Sequence, residues 1–304
     1  MVLTLYGEHM LIGYSAWGNN PEVYMQSAFS ALTFLADPAV SEICVATERP
    51  EFYKKLSGKV TIIPISSAQL EEWGGPENYT YRRKIMGFKE IMNARPGNDY
   101  LFLDGDTFRG GSIAAVAKRL ESGMFGMHES SGPFSRASDS SNRKLFSLFA
   151  GTQVEGYTIT DSTVRYNAGA LALPSALASE ILMRTLRATE EIYRRTNGYW
   201  ASEELAFNFV MMSLGEVGDI SDGIGHYFGN KPQWNAMIVN FFSRAGLADM
   251  SLEAMIQEAS SMDFTRIPVF LHPPRRRRQL MWLAEKYWPM TRPRYYPEKV
   301  QRWR

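Results

Sequence analysis

The chain has 304 residues, 45% of them hydrophobic, and a formal net charge of +1, which allows one large folded domain with or without an appendage. A near-neutral chain gives no general reason to expect a polyanionic partner, but the charge is unevenly distributed. Residues 272–304 contain ten Lys or Arg against two Glu, a local charge of +8, which leaves about −7 on residues 1–271. This asymmetry indicates a mildly acidic body followed by a basic segment.

Strand-like and helix-like segments alternate along the first half of the chain. Short apolar runs predict strands near residues 11–14, 43–46, 60–65 and 100–103. Apolar side chains at helical spacing predict helices over residues 22–35, 50–56, 80–93 and 112–121. This alternation is typical of an α/β fold with a mainly parallel sheet and helices on both faces.

The second half continues the pattern with interruptions. We predict strands at 124–127 and 166–173 and helices over 175–195, 201–213 and 251–260. Residues 129–144 are rich in Ser, Gly, Asn and charge and predict a mobile loop near a binding site, while residues 222–234 are glycine-rich and predict irregular structure. The domain prediction is one folded domain over 1–271 and a basic, aromatic segment over 272–304.

Cysteine content and charge near the N-terminus bear on the compartment. Cys44 is the one cysteine of the sequence, so no intramolecular disulfide can form, which fits a reducing compartment. The first Lys or Arg is Arg49, so the basic region of a signal peptide is missing. The sequence offers no run of the roughly 20 apolar residues that span a bilayer. We expect a cytoplasmic protein, with at most peripheral contact at the inner face of a membrane.

The segment that follows the strand at 100–103 is the most informative one. Asp104-Gly105-Asp106 places two carboxylates at the carboxyl end of a buried strand, where open α/β sheets bind ligands. Two adjacent carboxylates repel each other unless a cation lies between them, and hard oxygen ligands suit Mg²⁺ or Mn²⁺. Such an ion could bridge the phosphates of a nucleotide diphosphate. The alternative is a surface loop with two solvated acids, because D-x-D is a common pattern.

These residues also carry a family resemblance. YLFLDGDTF at 100–108 resembles the D-x-D segment of GT-A glycosyltransferases, particularly the group of glycogenin and the bacterial lipopolysaccharide galactosyl- and glucosyltransferases. Three further segments follow in that family's order: YNAG at 166–169 resembles its F-N-A-G strand, SEEL at 202–205 lies where it has D-Q-D, and HYFGNKP at 226–232 resembles its H-x-x-G-x-x-K-P-W motif. The resemblance spans roughly residues 10–235.

The resemblance implies a GT-A (Rossmann-like) fold, a nucleotide-diphosphate-sugar donor with a UDP-sugar favoured, and Mn²⁺ or Mg²⁺ as cofactor. His226 would be the third metal ligand beside Asp104 and Asp106. Lys231 would contact the diphosphate as a point charge. An ordinary exposed loop carrying His226 and Lys231 is the alternative. The sequence departs from the family pattern in the His–Lys spacing, which is one residue shorter, and at the first two D-Q-D positions, Ser202 and Glu203.

Two acids and an amide are candidates for contact with the sugars. Glu203 and Glu204 begin a predicted helix, where simple capping of the helix dipole is the alternative. In an inverting transfer one of them would act as general base, and in a retaining transfer it would orient the acceptor or stabilise charge on the sugar. Glu204 is favoured because it occupies the second Asp position of D-Q-D. Asn167 would offer its amide to a sugar hydroxyl, or else it is a turn residue.

Two further residues could contact the nucleotide. Arg83 is the favoured member of the basic run 82–84, since the family has a basic residue in a similar place; a solvated helix start is the alternative. Tyr14 ends the first strand, where the family contacts the base or ribose, and it could stack on the base. A buried core tyrosine is the alternative.

The C-terminal residues 275–304 interleave arginines with aromatic side chains. They could lie on an anionic membrane near a lipid-linked acceptor, or pack on the folded domain with snorkelling arginines. Binding of nucleic acid is less favoured than either of these interpretations, because the rest of the chain is acidic.

The predicted function is therefore metal-dependent transfer of a sugar from a nucleotide-diphosphate sugar to a glycan, lipid-linked or other glycoconjugate acceptor, as in polysaccharide biosynthesis. One alternative is a catalytically silent sugar-nucleotide-binding protein, which the departures from the family pattern leave open. Another is a metal-dependent phosphohydrolase with Asp104 as nucleophile, although such enzymes usually carry the acidic motif on the first strand. A sugar-phosphate nucleotidyltransferase is disfavoured, since no glycine-rich phosphate loop with Arg follows the first strand.

Overall fold

The computed structural model describes residues 10–137 and 140–268, together with 279–280, 283–284 and 286–288. The strands are β1 (Met10–Ala16), β2 (Val40–Thr47), β3 (Thr61–Pro64), β4 (Tyr100–Leu103), β5 (Thr107–Arg109), β6 (Met124–Pro133), β7 (Gln153–Val154), β8 (Tyr157–Thr158), β9 (Val164–Leu173), β10 (Glu216–Asp219) and β11 (Ile224–His226). The α-helices are α1 (Pro21–Phe34), α2 (Ser67–Trp73), α3 (Thr80–Ala94), α4 (Ala114–Glu121), α5 (Ser140–Phe149), α6 (Ser175–Arg195), α7 (Ser202–Leu214), α8 (Lys231–Leu247) and α9 (Leu252–Ser261). Short 3₁₀ helices occur at Pro50–Leu56, Phe134–Arg136 and Phe264–Arg266.

The central sheet has seven strands in the order β10-β6-β9-β4-β1-β2-β3. Strands β3, β2, β1 and β4 are parallel, as are β6 and β10, whereas β9 runs antiparallel to both β4 and β6. The predicted fold class, an α/β fold with a mixed, mainly parallel sheet, is confirmed. The middle of the antiparallel strand β9 lies beside the end of β4, where the Asp104 backbone N–H donates a hydrogen bond to the Gly169 carbonyl at 2.8 Å.

Helices cover both faces of this sheet. Side chains alternate along β4, so Leu101 and Leu103 join the apolar layer of α1, α8 and α9, while Tyr100 and Phe102 join the layer of α3, α6 and α7. The rings of Phe102 and Phe88 stack with centroids 4.4 Å apart. Both layers are buried, so the sheet edge at the end of β4 is fixed from two sides.

Two segments differ from the sequence expectation. The predicted loop at 129–144 is the end of β6, a 3₁₀ turn and the start of α5, with residues 138–139 outside the described part. Residues 129–131 are exposed at the end of β6, so polar side chains there are compatible with a strand. Residues 222–234, expected to be irregular, contain β11 and the first turn of α8. The rest of α8, for which no element was predicted, buries Trp234, Ile238 and Phe241 at helical spacing.

Most of the basic, aromatic segment 272–304, including Arg275–Arg278, lies outside the described residues. Within it Leu280, Tyr287 and Trp288 are exposed. A search of the described residues finds no helix with the length and apolarity needed to cross a membrane.

Candidate active site

A cleft of about 440 Å³ opens where β1, β4 and β9 meet the amino ends of α7 and α8. It brings together residues that lie far apart in the sequence. Of the residues predicted from the sequence, those that line it are Asp104, Asp106, Asn167, Glu203, Glu204, His226 and Lys231.

Asp106 is the most deeply buried carboxylate of the D-x-D segment, with 5% of its surface exposed. Its Oδ2 lies 2.9 Å from Lys231 Nζ and 3.3 Å from His226 Nε2. The antiparallel pairing of β11 with β5 sets His226 opposite Thr107 and so places the imidazole beside the carboxylate. Burial alone would raise the pKa of Asp106, but His226 and Lys231 outweigh it and hold that pKa below its usual range.

The hydrogen bonds around Asn167 show which nitrogen of His226 donates to it. Asn167 Nδ2 donates to Glu204 Oε2 at 3.1 Å, so its Oδ1 points the other way and accepts from the Gly169 N–H at 2.8 Å. The same Oδ1 lies 3.1 Å from His226 Nδ1. Because an amide oxygen can only accept, His226 Nδ1 carries a proton, and Nε2 is the ring nitrogen directed at Asp106.

Asp104, Asp106 and His226 each offer one ligand atom within 4.8 Å of the others. Asp106 Oδ2 and His226 Nε2 are buried, and among the described residues neither finds a hydrogen-bond partner at a favourable angle. Lys231 lies within ion-pair distance of Asp106 Oδ2 and balances its charge. Two carboxylate oxygens and a neutral imidazole are a donor set that suits Mn²⁺ and similar hard divalent cations, so these residues fit such an ion.

A buried lysine that was not predicted lies behind the D-x-D segment. Lys84 Nζ pairs with Asp104 Oδ1 at 2.7 Å and Glu203 Oε1 at 2.8 Å, and donates to the Ala168 carbonyl at 3.0 Å. Burial would lower the pKa of Lys84, but the two carboxylates outweigh it and raise that pKa. Burial raises the pKa of Glu203 to about 7, against the opposing effect of Lys84. Glu203 is thus held against Lys84 at the wall of the cleft.

Glu204 has a different environment from its neighbour. Arg165 Nη2 lies 2.5 Å from Glu204 Oε1, and Asn167 holds the other oxygen. Arg165 also contacts Tyr199 at 3.3 Å. The carboxylate is therefore oriented at the cleft wall. The Asn167 amide holds Glu204 through Nδ2 and His226 through Oδ1, so Asn167 positions both side chains from the wall of the cleft.

The structure places two predicted nucleotide contacts away from the cleft. The Arg83 guanidinium donates to the Leu70 carbonyl at 2.7 Å and to the Asn78 side chain, so it is held against α2. Tyr14 is fully buried and its hydroxyl bonds Ser30 Oγ at 2.8 Å, so it is a core residue. The periodicities of helix and strand account for both placements, because they turn the neighbouring Lys84 and Ser15 to the cleft instead.

Other cleft residues were missed, and some had a signal in the sequence. Lys84 lies four and seven residues before the buried Phe88 and Ile91, on the sheet-facing side of α3. Arg165 lies two residues before Asn167 in β9, hence on the same face of the strand. The rim aromatics Trp200 and Phe228, 65% and 60% exposed, had no such signal.

No family model matches the sequence, and no curated protein is similar to it above the significance threshold. The chain is similar in fold to the galactosyltransferase LgtC in complex with donor and acceptor sugar analogues (TM-score 0.49, 14% identity, 89% of this chain and 99% of that one). It is also similar to apo mouse xyloside xylosyltransferase 1 (TM-score 0.44, 13% identity, 70% and 84%). A third similar structure is a putative glucose-1-phosphate thymidylyltransferase from Bacillus anthracis (TM-score 0.41, 10% identity, 84% and 97%). Identities this low concern the fold alone.

Proposed function

We propose that the protein is a glycosyltransferase that takes a sugar from a nucleotide-diphosphate sugar, with a divalent cation held by Asp104, Asp106 and His226. The observation that carries the proposal is that Asp106 Oδ2 and His226 Nε2 are buried 3.3 Å apart beside Lys231, and that neither has a hydrogen-bond partner at a favourable angle among the described residues. When bound there, the cation would neutralise negative charge on the diphosphate as it departs.

Lys231 is the residue best placed to bind the diphosphate directly. Its side chain is 46% exposed, whereas its partner Asp106 is buried, so the ammonium can reach a ligand while still paired. Partial burial would lower the pKa of Lys231, but Asp106 outweighs it and raises that pKa. Lys231 therefore stays protonated and supplies a fixed positive charge to the leaving group.

Glu204 is the carboxylate proposed to act at the sugar. Arg165 and Asn167 hold both of its oxygens, which fixes the orientation of the group. It would accept the proton of an acceptor hydroxyl in an inverting transfer, or orient the acceptor and stabilise developing positive charge in a retaining one. Glu203 is assigned a supporting role, because it is 4% exposed and its carboxylate pairs with Lys84.

The test is nucleotide release from a panel of UDP-, GDP- and dTDP-sugars, with Mn²⁺ or with EDTA, for the wild type and Asp106→Asn. The matched control is Asp249→Asn, because Asp249 is 94% exposed and pairs with Lys55 far from the cleft. We expect slow release from one donor class that requires Mn²⁺, is lost in Asp106→Asn and is retained in Asp249→Asn.

Other outcomes separate the alternatives. Donor binding in a thermal-shift assay with no release, even with a glycan mixture added, would indicate a silent binding protein. Release of free phosphate from sugar phosphates would indicate a phosphohydrolase. The absence of both binding and turnover for every sugar nucleotide tested would refute the proposal.

A further inference from the structure

A second cavity of about 620 Å³ adjoins the cleft, between α5 and residues 196–200. We refer to it as the α5 trench. It shares Asn142, Arg165 and Trp200 with the cleft, so the two are continuous. Because Arg165 also holds Glu204, the trench leads to the carboxylate proposed to act at the acceptor hydroxyl.

Three aromatic rings follow one another from the cleft into the trench. Tyr81 lines the cleft, Trp200 lines both cavities and Tyr199 lines the trench. The ring centroids of Tyr81 and Trp200 are 6.3 Å apart, and those of Trp200 and Tyr199 are 6.0 Å apart. Trp200 is 65% exposed, and a large apolar ring left in water between two cavities indicates a binding surface.

The remaining side chains of the trench are both apolar and polar. Leu145 and Leu148 of α5 face the trench, and Leu148 is 44% exposed. Asn142 of α5, and Thr196 and Asn197 from the segment 196–200, also line the trench. A sugar presents apolar C–H faces to aromatic rings and hydroxyls to amides, so it matches both kinds of wall. An acyl chain would instead bury these polar side chains against hydrocarbon, which is unfavourable.

We infer that the α5 trench binds the acceptor, that this acceptor is a glycan of at least two sugar units, and that Trp200 is a stacking platform for it. This inference rests on the proposed function and names its acceptor class. The acceptor oxygen forms a bond to the anomeric carbon of the donor sugar while the bond from that carbon to the diphosphate oxygen breaks. The electron pair leaves with the nucleotide diphosphate, and the hydroxyl proton passes to Glu204 or to the diphosphate.

The experiment is binding of the full chain to a printed array of bacterial and eukaryotic glycans, followed by titration of the strongest ligand by calorimetry. We expect an oligosaccharide class to bind, and Trp200→Ala to weaken its affinity by about tenfold or more, as for a buried aromatic contact. Trp200→Tyr should restore most of the affinity. The matched control is Trp288→Ala, since Trp288 is 80% exposed and lines neither cavity. Thermal melts would confirm that each variant folds.

Two results would overturn the inference: no array glycan binds, or the glycan that binds is unaffected by Trp200→Ala. Trp200-dependent binding to phosphatidylglycerol vesicles without glycan binding would overturn it in favour of a membrane contact. Sugar-nucleotide binding, measured in parallel, separates the two proposals. A wild type that binds the donor but no glycan contradicts the trench alone, and one that binds glycan through Trp200 but no donor contradicts the transfer function alone.

Discussion

The imidazole of His226 lies directly against the backbone of Gly169. A Cβ atom added at position 169 would lie 2.3 Å from His226 Cε1 and 2.4 Å from Nδ1. Ordinary contact begins near 3.4 Å, so in Gly169→Ala the ring or the strand has to move by about 1 Å in a close-packed site. We expect the crowding to cost about 1–3 kcal/mol of unfolding free energy.

The displacement should affect the cation site more than the fold. His226 is aligned by its 3.1 Å hydrogen bond to Asn167, and moving the ring by this amount breaks that bond and turns Nε2 away from Asp106. Loss of such an orienting contact typically weakens metal affinity by about 10–100-fold. We therefore predict that the Mn²⁺ dissociation constant of Gly169→Ala is about 10–100 times higher than that of the wild type.

The assay is titration of Mn²⁺ followed by electron paramagnetic resonance, which reports the free ion. Gly246→Ala is the matched control, because a Cβ at Gly246 meets nothing within 4 Å and the residue lies in α8. That control should keep the wild-type affinity and gain slightly in stability from the better helix former. A folded Gly169→Ala variant with unchanged Mn²⁺ affinity would show that His226 is not a ligand.

Further predictions concern the groups around the cleft. Lys84→Met leaves Asp104 and Glu203 without their buried cation and should lower the unfolding free energy by about 3–5 kcal/mol in urea melts at pH 7, and a loss under about 1 kcal/mol would contradict this. Burial raises the pKa of Glu203 from 4.5 to about 7, so the folded state keeps the extra proton and this group's stabilisation is present below pH 4.5 and lost as the pH rises through 7. The unfolding free energy of the wild type minus that of Glu203→Gln should fall across that window and level off above it; a rise would contradict the assignment. Tyr14→Phe removes the hydrogen bond to Ser30, so it should lower the unfolding free energy by about 1 kcal/mol and leave UDP affinity unchanged. A tenfold loss of UDP affinity would instead make Tyr14 a base contact.

The sheet and the acidic segment could be predicted from the sequence because short-range patterns determine them. The apolar run 100–103 forms β4, and Asp104 and Asp106 follow it at the carboxyl edge, where the cleft opens. The predicted helix at 22–35 is α1, and the predicted strand at 166–173 is most of β9. In each case the period of apolar side chains and the flanking Asn, Gly or Pro were sufficient.

The arrangement within the cleft depends on contacts between distant segments. The choice between Arg83 and Lys84 depends on the rotation of α3 against the sheet, which the buried Phe88 and Ile91 set. The orientation of the His226 ring depends on the Asn167 amide, whose orientation is in turn set by Glu204. The coupling of His226, Asn167 and Glu204 has no local sequence signal. The α5 trench has none either, since its walls come from segments about 50 residues apart.

The most direct test of a cation-dependent nucleotide-sugar site is the linkage between Mn²⁺ and UDP binding, measured by calorimetry. If Asp104, Asp106 and His226 hold a cation that contacts the diphosphate, then UDP must tighten Mn²⁺ binding by the same factor by which Mn²⁺ tightens UDP binding. We predict this reciprocal effect in the wild type and in Asp249→Asn, and its loss in Asp106→Asn. Equal UDP affinity with Mn²⁺ and with EDTA, unchanged in Asp106→Asn, would contradict the account.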